Sequence, residues 1–392
     1  MKVAIISHVL PPYWSGQSVL ISRLLRGRPA DDYCLISEHE WGARGAREFS
    51  DRLPGSYQRF STKGLLRRGL RLDAVQRFNA HILGRRIARV ARREGCDAVV
   101  AFSGSLTDLP AGLAASRIMN VPFYAYVCDY YSQQQRDARA RAIAERIEPG
   151  VLRAAQAVIV LNEFLRDELR RRYGVEPVII YNPCDVDAYD AAPPHADGVG
   201  GEKRIVYTGA VYEAHYDAFR NLIEAIKLLA RGDVRLHLYT AQTPRELAEV
   251  GIEGPVVVHG HVASMEVPAI QKQADMLFLP LAFDSPYPVV IRTSAPFKTG
   301  EYLAARRPVV VHAPPDSFVA WYFREHGCGL VVDRLDPAPL ADAVGRVLDD
   351  ETLARHLGER AWERARADFR IETAREKFWK LLESGAPPAR GD

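Results

Sequence analysis

Short apolar runs recur along the whole chain and alternate with longer stretches of mixed polarity. In the first half they fall at residues 3–9, 33–37, 98–102, 123–128, 157–161 and 178–181. In the second half they fall at 204–211, 234–239, 256–261, 276–281, 308–312 and 329–332. Each is short, rich in Val and Ile, and bounded by Gly, Pro or polar residues. That is the pattern of parallel strands buried on both faces. Their alternation with helical stretches predicts an α/β chain of βαβ units in two successive sheets. Right-handed crossovers then set each ligand crevice at the C-terminal ends of the strands.

The two halves meet near residues 184–201, CDVDAYDAAPPHADGVGG. This segment is rich in Pro, Gly, Asp and Ala and has no periodicity, so 185–201 is expected to be a linker. It separates an N-terminal domain, 1–184, from a C-terminal domain, 202–370. A last helix, 371–384, offers Phe378, Trp379, Leu381 and Leu382 for packing and is expected to join the first domain. There is no short internal repeat.

The most informative stretch is 274–314, ADMLFLPLAFDSPYPVVIRTSAPFKTGEYLAARRPVVVHAP. It predicts a strand, a loop rich in Pro and Ser, a helix starting near Ala295 and Pro296, and a second strand. A loop feeding a helix N-terminus makes an anion site, because free N–H groups and the helix dipole point the same way. Lys298 and Glu301, three apart, share a helix face there. A cation for phosphate and a carboxylate for sugar hydroxyls is the pair that a nucleotide sugar needs. Near the N-terminus, Pro11-Pro12-Tyr13-Trp14-Ser15-Gly16-Gln17-Ser18 precedes a helix expected from about Val19 to Leu25. One glycine there lets a ligand approach the backbone, or merely makes a βα turn. It is not G-x-G-x-x-G, and no P-loop pattern occurs.

Composition adds exclusions. A chain of 392 residues suits two domains, and 47% hydrophobic with 26% charged residues is ordinary for a globular protein. A net charge of +3 gives no reason to expect nucleic-acid binding. Five scattered cysteines form no C-x-x-C pair, so neither a disulfide framework nor a zinc site is expected. No apolar run is long enough to span a bilayer, and Met1-Lys2 passes straight into a strand-like run. The expected compartment is the cytoplasm. From Lys63 to Arg93 there are ten basic residues and one acid, Asp73. On a helical wheel Arg85, Arg86, Arg89, Arg92 and Arg93 oppose Leu83, Ile87, Val90 and Ala91. Such a face is either solvated or a dock for anionic lipid or a phosphorylated acceptor, which would make the protein peripheral at the inner face of a membrane.

Taken in order, VAIISHVLPPYWSGQS, AVIVLNEFLRDEL, VIIYNPCDVDAY, IVYTGAVYEAHYDAFRNLIEAIKLL, VVVHGHVASMEVPAIQKQADMLFLPL and APFKTGEYLAARRPVVV make nearly the whole chain resemble a GT-B glycosyltransferase of the family 4 type. The resemblance implies two Rossmann-like, doubly wound domains facing each other across a cleft. It implies a nucleotide-sugar donor on the second domain and a hydroxyl acceptor on the first, lipid-linked if the basic segment docks on a membrane. It also implies metal independence, no cofactor beyond the sugar nucleotide as substrate, and retention at the anomeric carbon. Gly16, with Gln17 beside it, matches the glycine loop that approaches the donor diphosphate. Glu301 matches the second glutamate of the E-x7-E motif, which holds the ribose. The first falls at Thr293, so that contact to the sugar is altered. The Arg and Lys that the family places after the glycine opening the second domain are absent after Gly209. Lys298, Arg292 and His215 are the cations available instead for the leaving diphosphate, with Lys298 the first choice. The family's His-Asp after the fourth strand falls on Cys128 and Asp129. Asp129 is expected to accept the acceptor's proton or to hydrogen-bond the transferring sugar, unless it is only a cap or turn residue. Cys128 is expected to be a small buried hydrophobe. Asp185-Val186-Asp187 and the pair His259 and His261 are expected to bind no metal. A nucleotide-sugar 2-epimerase and a catalytically impaired nucleotide-binding protein share the architecture and remain alternatives.

Overall fold

The computed structural model describes residues 1–13, 15–39, 52–63, 65, 73–195 and 201–385. Trp14, residues 64 and 66–72 of the basic segment, and 196–200 of the expected linker lie outside these. The chain divides into two compact units. The first holds residues 1–181 and the chain from Glu372 onward, and the second holds Asn182–Ile371.

In the first unit the order is β1 (Val3–Ile6), α1 (Gly16–Leu25), β2 (Tyr33–Ser37), β3 (Ser56–Arg59), α2 (Asp73–Arg93), β4 (Ala98–Phe102) and α3 (Asp108–Met119). Then come β5 (Phe123–Val127), α4 (Ala138–Arg153), β6 (Ala157–Val160), α5 (Glu163–Tyr173) and β7 (Val178–Ile179). All pairings are parallel, in the order β3-β2-β1-β4-β5-β6-β7. Every residue of β1, β2, β4, β5 and β6 is buried, which is what a sheet covered on both faces requires.

The second unit begins with α6 (Val186–Ala191), β8 (Lys203–Thr208), α7 (Tyr216–Leu228), β9 (Val234–Tyr239), α8 (Pro244–Glu249), β10 (Val256–His259), α9 (Val267–Lys272) and β11 (Met276–Pro280). It continues with α10 (Pro288–Thr293), α11 (Phe297–Ala304), β12 (Val309–His312), α12 (Phe318–His326), β13 (Leu330–Val332), α13 (Pro337–Asp349) and α14 (Glu351–Asp368). Its parallel sheet runs β10-β9-β8-β11-β12-β13. Tyr207, Phe219, Leu222, Leu236 and Phe278 head a core packed between the sheet and α7 and α13.

Helix α15 (Ile371–Ser384) returns to the first unit. Trp379 Nε1 donates to Leu24 O at 3.3 Å and Arg375 Nε to Arg23 O at 2.7 Å, while Phe378 is fully buried.

Sequence and structure differ in four places. β3 escapes the hydrophobic pattern because Ser-Tyr-Gln-Arg is an edge strand with no wholly buried residue. Residues 288–293, expected as loop, form α10 with Pro288 at the first helical position, where a missing N–H costs nothing. Helix α6 occupies part of the expected linker and is capped by Asp185. Several strands also end before their apolar run does. The run 204–211 stops at Thr208 because Gly209 takes a φ of +116°.

Candidate functional site

In a doubly wound sheet, the connections on either side of the first-formed strand leave in opposite directions and open a crevice at that point. In the second unit this switch lies between β8 and β11. Gly209 leaves β8 there, with its N–H donating to Tyr239 O at 2.8 Å. Lys298, in the first turn of α11, reaches back to it. Its Nζ lies 4.8 Å from the centroid of the Tyr207 ring. It would be only 2.8 Å from a Cβ placed on Gly209. The ammonium therefore occupies the space that any side chain at 209 would take. Desolvation pulls the Lys298 pKa down, and the Glu301 carboxylate one turn on opposes that.

His215, at the start of α7, is 5% exposed. Its Nδ1 is 3.4 Å from Tyr207 Oη, which itself donates to Ala210 O at 2.8 Å. With the phenol proton so committed, the imidazole is assigned as donor through Nδ1–H, leaving Nε2 as the acceptor. Burial, and next the charge of Lys298, pull the His215 pKa down to about 3. Burial thus favours the neutral ring, and Lys298 is the cation that lies against Gly209.

Arg292 and Thr293 stand in the last turn of α10. Thr293 is 4% exposed, and its hydroxyl donates to Val289 O at 2.9 Å, one turn back in its own helix. Two residues that the sequence did not single out shape this region. Asp217, in the first turn of α7, accepts from the N–H groups of Phe283 and Asp284 at 2.8 and 2.9 Å, pinning the loop after β11. Asn182 Nδ2 donates to Ala295 O at 2.7 Å, which fixes the approach to α11. An acid just inside a helix start was the visible signal for Asp217. Nothing in sequence pairs Asn182 with Ala295.

In the first unit the switch lies between β1 and β4. Gly16 is the exposed first residue of α1, whose end is capped by Ser15 accepting from Ser18 N at 3.1 Å. Gln17 Nε2 donates to Ser7 Oγ at 2.7 Å. Asp129 follows β5 with an exposed side chain. Protein packed around it raises its pKa. Water at the exposed carboxylate tempers the effect. Cys128 is half-buried rather than buried, and desolvation raises its thiol pKa well above the usual value, which keeps it a poor nucleophile.

The carboxylates of the D-x-D are already engaged. Asp185 caps α6 by accepting from Ala188 N at 3.1 Å, and Asp187 pairs with Arg370 at 3.3 Å. His259 stacks on Tyr239 with centroids 4.1 Å apart. Among the described residues, no group of three or more His, Cys, Asp or Glu is arranged to hold a metal ion, and no helix is long and apolar enough to cross a membrane.

The sequence of residues 202–350 matches the family "Glycosyl transferases group 1", and residues 44–188 match "Glycosyltransferase Family 4". An alpha-D-kanosaminyltransferase of Streptomyces kanamyceticus is 23% identical over 285 residues, which cover 67% of this chain and 70% of that protein. Among solved structures, sucrose-phosphate synthase from Thermosynechococcus elongatus superimposes with a TM-score of 0.72 at 17% identity, covering 98% of both chains. The Anabaena protein HepE in complex with UDP-glucose superimposes with a TM-score of 0.67 at 16% identity, covering 98% of this chain and 100% of that one. With a family match on each of its two parallel sheets, the chain belongs to the group 1, family 4 glycosyltransferases of GT-B fold, and it is a glycosyltransferase enzyme.

Proposed function

We propose that this enzyme moves a sugar from a nucleoside-diphosphate donor to an acceptor hydroxyl, without a metal ion and with retention at the anomeric carbon. The observation that carries this reading is Lys298, held by Tyr207 and Gly209 at the switch point of the second unit. A leaving diphosphate gains negative charge as the anomeric bond breaks. A cation fixed in advance at that place lowers the barrier without reorganising. Lys298 takes over the work of the basic pair that is missing after Gly209. Glu301 holds the ribose hydroxyls, and Arg292 is a second cation available to the diphosphate. In the first unit the Gly16–Gln17 turn offers helix N–H groups to phosphate, and Asp129 hydrogen-bonds the reacting sugar. UDP-glucose is bound by the HepE protein, and UDP-sugars are the donors to try first.

A second element of the reading concerns the acceptor. Arg85, Arg89, Arg92 and Arg93 are exposed along α2, while Leu83, Ile87 and Ala91 are buried beneath them. We take this face as a dock for an anionic membrane, which would present a lipid-linked acceptor.

Incubation with UDP-, GDP-, TDP- and CDP-sugars tests the transfer. Slow release of nucleoside diphosphate from one of them is expected. Epimerised sugar with no net nucleotide release would replace the proposal with the 2-epimerase alternative, and tight binding without turnover would replace it with a non-catalytic one.

A further inference from the structure

At the switch point of the second unit two neighbouring strands part early. The pairs between β8 and β11 end at Val206 with Leu277, whereas those between β8 and β9 continue to Thr208 with Tyr239. Backbone N–H groups of β8 alternate between these neighbours. Lys203 and Gly209 donate to Asp233 O and Tyr239 O on the β9 side, and Arg204 donates to Asp275 Oδ2 on the β11 side. Thr208, an even step beyond Arg204, faces the β11 side too, past the last paired residue. A buried N–H without an acceptor is costly. Here a side chain supplies the acceptor: the hydroxyl oxygen of Tyr302, on α11, takes the Thr208 N–H at 3.2 Å. Tyr302 is fully buried and Thr208 nearly so.

The hydrogen bonds run on from there. Thr208 Oγ1 accepts from Gln271 Nε2, on α9, at 2.8 Å, and Gln271 Oε1 accepts from Tyr189 Oη, on α6, at 2.7 Å. All four residues are buried and belong to the second unit. On α11, Tyr302 stands one turn after Lys298, so both side chains rise from one face of the helix. Together they meet three consecutive residues. Lys298 Nζ lies over the Tyr207 ring and in the space beside Gly209, and Tyr302 Oη holds Thr208 between them. The opposite face of α11 is seated as closely. A Cβ on Gly300 would lie 2.8 Å from Phe369 Cδ1 and 3.2 Å from Cys184 Cβ.

We propose that Tyr302, braced through Thr208 and Gln271, is a positioning residue for the nucleotide. Its hydroxyl stands in for a ladder bond that the parted strands β8 and β11 cannot make, and it fixes the turn of α11 from which Lys298 reaches Gly209. This rests on the transfer reading above, in which Lys298 meets the diphosphate. Tyr302 acts through Lys298 rather than on the substrate. Without the hydroxyl, the Thr208 N–H has lost its acceptor, α11 settles differently against the end of β8, and the ammonium moves with it.

The test uses the full chain and titration calorimetry with UDP, GDP, TDP and CDP, at a temperature where parent and variants are folded. Tyr302→Phe keeps the ring and removes the hydroxyl. It is expected to weaken binding of the nucleotide that the parent takes by about tenfold, the magnitude of one buried hydrogen bond. Tyr322→Phe removes another buried tyrosine hydroxyl of the same unit, bonded to Asp368. It should lower the melting temperature and leave that affinity as in the parent. The decisive readout is a double-mutant cycle. In a Lys298→Met background, Tyr302→Phe should change the affinity by less than about twofold, because the group it positions is gone. A merely structural tyrosine would give equal losses in both backgrounds. Should Tyr302→Phe not fold, Thr208→Val, which takes the acceptor from Gln271 and keeps the side-chain shape, enters the same cycle with the same expectation. Parental affinity in the folded variant, or equal losses with and without Lys298, overturns the assignment and leaves the transfer reading intact. A parent that binds none of the four nucleotides overturns the transfer reading itself, and this one with it.

Discussion

Lys298 and Gly209, 89 positions apart in the chain, share one small volume, since the ammonium fills the place of the side chain that Gly209 lacks. Gly209 is doubly constrained, because its φ of +116° also disfavours any residue with a Cβ. Gly209→Ala should therefore destabilise the protein by about 1–3 kcal/mol through backbone strain. It should also push Lys298 aside and weaken the UDP-induced thermal shift. Urea denaturation with and without UDP separates the two effects. An unchanged shift would show that the position of Lys298 does not matter for the nucleotide.

Replacing Lys298 by Met keeps the stem that packs on Tyr207 and removes only the charge. Loss of one oriented electrostatic contact commonly costs about 10²–10³-fold in kcat. Steady-state rates of nucleotide release on the cognate donor provide the check. A rate within a few-fold of the parent would transfer the leaving-group role to Arg292.

Glu301→Ala should weaken nucleotide binding. Hydrogen bonds to a charged group contribute about 1.5–3 kcal/mol, so a fall of about 10–100-fold in affinity is expected. Titration calorimetry with UDP measures it. Equal affinity for UDP in variant and parent would remove the ribose assignment.

Two buried histidines make stability depend on pH. His312 is fully buried, donates through Nδ1 to Val332 O at 2.9 Å and accepts from Asn221 Nδ2 at 2.9 Å. It has no place for a second proton, and burial lowers its pKa to about 4. His215 lies at about 3 for the same first reason. Both folded values are below the unfolded 6.5, so between these limits the unfolded chain binds more protons. Stability should be full above about pH 6.5 and fall as pH drops towards 4 and then 3, by at most roughly 3 kcal/mol for His312 and roughly 5 kcal/mol for His215. Denaturation midpoints across this range should flatten in His312→Gln, an amide that does not titrate, relative to the parent.

If α2 docks on a membrane, vesicles containing anionic lipid should co-sediment the protein at low salt and release it as salt rises. The double variant Arg85→Glu, Arg89→Glu should lose this binding and keep its melting temperature, because both side chains are exposed. Equal binding to neutral vesicles, or none at low salt, would return the face to a solvated role.

Much of the fold was legible because buried parallel strands are written as contiguous apolar runs. The runs at 33–37, 98–102 and 234–239 coincide with β2, β4 and β9 residue for residue. β3 was not legible, because an edge strand buries too little to need apolar residues. In the candidate site, Lys298 and Glu301 stood out as a spaced pair on a helix start, and Gly209 as the glycine at the opening of the second domain, inside an apolar run expected to continue to 211. The companionship of Lys298 with Gly209 and Tyr207 was not visible, since nothing local encodes a contact between β8 and α11. His215 stood in sequence as an available cation, and only the structure shows how deeply it is buried.

The sequence by itself thus determined the α/β class, the two sheets, the family motifs and the helix that carries Lys298 and Glu301. These follow from hydrophobic period and local spacing, which act over a few residues. The tertiary structure decided which side chains meet at each switch point, which histidines are too buried to carry charge, and which glycines are needed as empty space. Those depend on strand order and desolvation, and both are set by the packing of chain segments remote from one another.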